Sequence, residues 1–154
     1  MNQLKKEILG PFQKKILYCI SGILWLSGTA WLYFRYFVQG QEEFNAQSYS
    51  AQAMCLKIHG AVAIAFLVIF GTLLYHIPPG WRQKSQRPSG MSLLTICGIL
   101  ILTGWGIYYI GHEEFRHFNS IIHCALGFLL PAIIFLHVWN ANRIQDNKQQ
   151  TIKK

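Results

Sequence analysis

From Leu56 to Ile77 the chain reads LKIHGAVAIAFLVIFGTLLYHI, and Pro78-Pro79-Gly80 follows at once. Apart from Lys57, His59 and His76, almost nothing in these 22 positions prefers water to hydrocarbon. A helix rising ~1.5 Å per residue needs ~20 residues to cross a ~30 Å apolar layer, so the stretch has the length of one membrane crossing. Three similar blocks run from about Ile16 to Phe37, Ser92 to Ile110 and Phe118 to Trp139. A soluble helix would carry a polar face, and a barrel strand would alternate over about ten residues; these blocks do neither. Backbone groups in lipid must be paired within the segment, which makes each block a helix. The expected fold is all-α, a four-helix transmembrane bundle forming a single integral-membrane domain over residues 1–154. Composition agrees: 52% of the 154 residues are apolar and 13% charged, about half the usual charged share of a soluble domain.

Charge placement sets the expected orientation. Lys5, Lys6, Lys14 and Lys15 precede the first block, Arg82, Lys84 and Arg87 join the second to the third, and Arg143, Lys148, Lys153 and Lys154 follow the fourth. These are 11 of the 14 basic residues; Arg35, Lys57 and Arg116 fall on the other side with Glu42, Glu43, Glu113 and Glu114. Basic flanks stay in the cytoplasm, so both termini are expected inside, in the cell's inner (cytoplasmic) membrane. The net charge of +8 is then a topology signal, and three short basic flanks do not make a nucleic-acid-binding face. The first block is read as a retained anchor, although Gly28-Thr29-Ala30 has the small residues of a cleavage site.

Cys19, Cys55, Cys97 and Cys124 form no C-x-x-C, which excludes a thioredoxin-like motif and covalent c-type haem attachment. They are expected to be small packing residues. Hydropathy and composition show no internal repeat strong enough to argue from. Pro78-Pro79-Gly80 is expected to end the second span and Pro88-Ser89-Gly90 to precede the third.

The six histidines are placed in a pattern. His59 and His76 lie at the outer and inner ends of the second span, and His123 and His137 near the outer and inner ends of the fourth. His112 and His117 sit in the short outer connection, and the first and third spans have none. Ionisable groups within spans are costly and mark a pathway or a cofactor. Two alternate helices each offering one imidazole at each of two depths suit a haem held between helices, with one neutral nitrogen on each face of the iron. His123 and His137 are 14 residues apart, about 21 Å of rise and within ~40° of one face. Gly127 shares that face, one turn from His123, and would let a flat ring approach. His59 and His76 are 17 apart, ~100° off on an ideal helix; a tightened last turn, a bend near Gly71 or a turned haem would absorb that. His76 is kept because no other histidine stands at the inner level to face His137. His112 and His117 are expected at the surface, with replacement of an outer ligand or proton handling left open. The aromatic residues near span ends, Trp31, Tyr33, Tyr36, Tyr75, Trp81, Tyr108, Tyr109 and Trp139, are expected in interfacial belts.

IHGAVAIAFLVIFGTLLYHIPPGW, SGMSLLTICGILILTGWGIYY and IIHCALGFLLPAIIFLHVW together resemble the four-helix membrane b-type cytochromes, among them the di-haem anchor subunits of quinone-linked oxidoreductases. The resemblance covers about Leu56 to Trp139. It implies two non-covalent haems b, one ligated by His59 with His123 and one by His76 with His137. Their propionates would seek Arg35, Lys57 or Arg116 outside and Lys15, Arg82 or Arg143 inside.

Bis-imidazole iron has no open position, so the implied function is one-electron transfer across the membrane between quinone or quinol and a partner redox protein. No motif for hydride, flavin or iron–sulfur chemistry is present. Outer connections of about 19 and 7 residues are too short for a catalytic domain, so the expected setting is an oxidoreductase complex with a partner on the outer (periplasmic) face. A haem-free transporter or proton relay, or a purely structural anchor, are the competing classes; the first would be favoured by acidic residues within the spans, which are missing. The orientation is testable directly. A phosphatase reporter that is active only outside the cytoplasm should be inactive when fused after Lys154 and active when inserted at Gly111; the reverse pattern would invert the assignment.

Overall fold

The structure is a computed structural model describing residues 10–38, 46–74 and 87–152. Its described elements are four α-helices, α1 (Pro11–Tyr33), α2 (Ala46–Leu74), α3 (Arg87–Tyr109) and α4 (Glu113–Ile152), with a π-helical turn, Phe34–Val38, continuing α1. All four are long and apolar enough to cross a membrane. The protein is all-α and a multi-pass membrane protein.

The helix ends follow local chemistry. Gly10 caps α1, Pro11 occupies the first position, where a missing N–H costs nothing, and Gln13 Oε1 accepts the Gly10 N–H at 3.3 Å. Pro88 lies in the first turn of α3 for the same reason, so Pro88-Ser89-Gly90 opens the helix instead of preceding it. Glu113 and Glu114 lie in the first turn of α4, where carboxylates complement the helix dipole. The stop expected at Pro78-Pro79-Gly80 falls outside the described residues.

Five boundaries differ from the hydropathy blocks, and α1 at Pro11 and α3 at Arg87 each begin five residues before theirs. Ten residues before Leu56, α2 already begins at Ala46. α4 takes in Glu113–His117, leaving only Ile110, Gly111 and His112 as the connection, and it runs 13 residues beyond Trp139. Hydropathy measures the thickness of the hydrocarbon, whereas backbone hydrogen bonding continues into the polar headgroup region. The connection between α3 and α4 is correspondingly shorter than expected.

The chain divides into two compact units, Met1–Gly80 and Trp81–Lys154. In the first, α1 packs along α2; in the second, α3 packs along α4. Each unit is a helical hairpin, and each is inside-out. Ile64, Val68, Leu102 and Phe135 are more than 65% exposed, whereas Ser27, Gln52 and Thr103 are among the most buried residues, at 7–8%. Polar side chains inside and apolar ones outside suit a chain surrounded by lipid. Tyr33, Tyr36, Tyr108, Tyr109 and Trp139 are exposed at or near the expected span ends, as interfacial aromatics would be. All four cysteines are free, and Cys97 is buried in the second hairpin.

Candidate functional site

In the first hairpin the ring of His59 on α2 reaches across to α1. Its Nδ1 lies 3.0 Å from the Leu24 carbonyl oxygen and 3.1 Å from Ser27 Oγ. A carbonyl only accepts, so Nδ1–H is the donor and carries the ring proton. Ser27 agrees with this: its own hydroxyl proton goes to the Ile23 carbonyl at 2.8 Å, leaving Oγ to accept. In the neutral ring the lone pair is then on Nε2. Beside this contact, a Cβ on Gly28 would come within 3.2 Å of His59 Cε1. To admit a methyl there the ring would have to give by a few tenths of an ångström.

The second hairpin repeats the arrangement. His123 Nδ1 on α4 lies 3.1 Å from both the Leu100 carbonyl and Thr103 Oγ1 on α3. Thr103 donates to Ile99 O at 2.7 Å, and a Cβ on Gly104 would come within 3.2 Å of His123 Cε1. The same geometry has the same sequence beneath it. Residues 20–28 read ISGILWLSG and residues 96–104 read ICGILILTG, identical at six of nine positions. The helices that carry the histidines share Ile58-His59-x-Ala61 and Ile122-His123-x-Ala125.

Sequence reading missed this repeat, and with it Leu24, Ser27, Leu100 and Thr103. The first helices align at an offset of 76 residues and the second at 64, because the connections differ in length. No single period brings both into register. The signal that finds them is a hydroxyl followed by glycine on the helix that carries no histidine.

A third contact follows the same form. His137 Nδ1 lies 3.1 Å from Ser89 Oγ, and Gly90 faces His137 Cε1, 3.8 Å from where its Cβ would stand. Ser89 precedes Thr103 by 14 residues and His137 follows His123 by 14, so the two contacts are rungs of one antiparallel register about 21 Å apart. Pro131, between the two histidines on α4, removes one helical amide donor. Ser89, Ser92, His137, Asn140 and Arg143 line a cleft of ≈ 380 Å³ at this end of the hairpin. Of the basic residues expected near an inner propionate, Arg143 shares this cleft.

His76 lies outside the described residues. In sequence, the α1 residue that mirrors it in the Ser27–His59 register is Gly10, which offers no hydroxyl. His112 and His117 are exposed; His112 meets Phe115 edge-on at 5.2 Å. Gly127 faces α3, where its Cβ would stand 3.9 Å from Leu100. Arg116 lies 3.9 Å from exposed Glu113, a pair of little energetic weight. Among the described residues no three His, Cys, Asp or Glu side chains gather as a metal cluster; a haem asks the protein for two axial nitrogens and brings its other four. Neither family models, curated proteins nor solved structures give a match to this chain.

The close glycines give a direct test. Gly28→Ala and Gly104→Ala each press a methyl onto an imidazole, and each should cost about 1–3 kcal/mol, read as a lower thermal midpoint in detergent. Gly111→Ala, with open space around it, should stay within about 0.5 kcal/mol of the parent.

Proposed function

We propose that this protein is a di-haem b-type cytochrome subunit, carrying electrons across the membrane between quinone or quinol and a partner redox protein. The observation that carries the reading is the duplicated seat of His59 and His123. Both rings have Nδ1–H committed to a carbonyl and a hydroxyl, and both present the lone pair on Nε2. Ligating histidines are held this way: a hydrogen bond at one nitrogen fixes tautomer and orientation and makes the other more basic. A proton relay would need rings that exchange their protons, and these protons are fixed between helices.

His59 and His123 are assigned to the outer haem, and His76 and His137 to the inner one. Haem with both axial positions filled supplies reversible one-electron transfer and no open position for substrate. Ser27, Thr103 and Ser89 hold the rings; Gly28 and Gly104 keep the space beside them clear. Arg143 and Asn140, in the cleft with His137, are assigned to an inner propionate, which a guanidinium binds well at a membrane surface. The inner membrane, quinone and a redox partner on the outer face complete the reading.

Acid-acetone should extract all haem from the purified chain, and a pyridine haemochrome assay should find about two per chain. His123→Ala and His137→Ala should remove different spectral components. The absence of a b-type band after dithionite reduction would refute the assignment, and loss of the same component from both variants would refute the pairing. Crosslinking after mild-detergent purification should attach a partner to residues 38–57 or 111–118; crosslinks confined to 78–91 and the tail would place it on the opposite face.

A further inference from the structure

We propose that Ser27 and Thr103 are positioning residues, each setting the electron affinity of the haem iron to which the histidine it holds, His59 or His123, is assigned. The proposal rests on the haem assignment above and adds a role for two side chains on the helices that carry no histidine.

Both hydroxyls are buried, at 8% and 7% exposure. Each gives its proton to its own helix, at 2.8 Å for Ser27 to Ile23 O and 2.7 Å for Thr103 to Ile99 O. Each oxygen can then only accept from the facing Nδ1–H, at 3.1 Å in both hairpins. The ring N–H is therefore shared between two acceptors, the hydroxyl and the carbonyl three residues before it. An acceptor at Nδ1–H moves electron density toward Nε2. A more basic axial nitrogen favours ferric over ferrous iron, so second-shell hydrogen bonds are a lever on potential. The two acceptors at Nδ1–H restrict rotation of the ring about its own stem. Each hydroxyl thus acts on two properties at once, the donor strength of its histidine's Nε2 and the orientation of that ring against its own hairpin.

What singles out these residues is their recurrence. Within the repeated nonapeptide, Trp25 is replaced by Ile101 and Ser21 by Cys97, yet the hydroxyl, the glycine and the carbonyl-bearing leucine all recur.

The test uses the full chain in mild detergent, with haem content, optical redox titration and the low-spin ferric resonance spectrum, which reports the imidazole plane angle. Ser27→Ala and Thr103→Ala should keep the parent's haem content. Each should raise the midpoint of the same component, increasing its reduced-to-oxidised ratio at fixed ambient potential by up to about fivefold, the weight of one hydrogen bond. The component that depends on His137 should not move. Thr103→Ser, which keeps the acceptor, should retain the parental midpoint and resonance spectrum. Should an alanine variant lose its haem, Ser27→Cys keeps the volume with a weaker acceptor and must shift that component upward. Unmoved midpoints with haem retained would overturn the role of the hydroxyls and leave the haem assignment standing. Shifts in two different components would overturn the assignment of His59 and His123 to one haem, and a parent chain without b-type haem would overturn both readings.

Discussion

Inside hydrocarbon a polar group has no water to fall back on, and apolar contact between two helices gains little that lipid does not already provide. Each hairpin accordingly depends on a polar contact between its helices. In both, a histidine N–H is shared between a backbone carbonyl and a hydroxyl one turn apart on the neighbouring helix. Burying an imidazole N–H without an acceptor would cost a large part of the desolvation of that group, so the register in which the partners meet is strongly preferred over its neighbours. The glycine beside each hydroxyl lets the ring lie close enough for this contact. The inverted distribution of the chain, with Thr103 buried beside exposed Leu102, follows from the same constraint.

The contact also decides the chemistry of the ring. Committing Nδ1–H to the neighbouring helix leaves Nε2 as the basic nitrogen, in an apolar setting and at a fixed angle. One interaction therefore fixes both the helix pair and the tautomer of the ring. The 14-residue repeat of the contact in the second hairpin, Ser89 with His137 and Thr103 with His123, places two such histidines on one helix. The first hairpin departs from this: 14 residues beyond His59 is Leu73, and 14 before Ser27 is Gln13.

Much of this was legible in the residues themselves. The blocks of LKIHGAVAIAFLVIFGTLLYHI and its three counterparts are too long and too apolar to be anything but helices, and the four helices are where those blocks are. The histidines stand out because an ionisable side chain in such a block is rare. Helix ends were less legible, since α2 and α4 continue through residues that hydropathy assigns to connections. The repeat of ISGILWLSG as ICGILILTG was hidden by unequal offsets, and Ser27 and Thr103 look unremarkable in an apolar run.

By itself, then, the sequence determined the number of crossings, the helical class and the levels of the histidines, because these depend on transfer free energies and on distance along one helix. Tertiary structure alone decided which carbonyl and hydroxyl receive each ring, and so which nitrogen bears the proton. Those partners are 35 and 32 residues from His59 and 23 and 20 from His123. No local preference reaches so far; the pairing exists only once two helices have packed in one register.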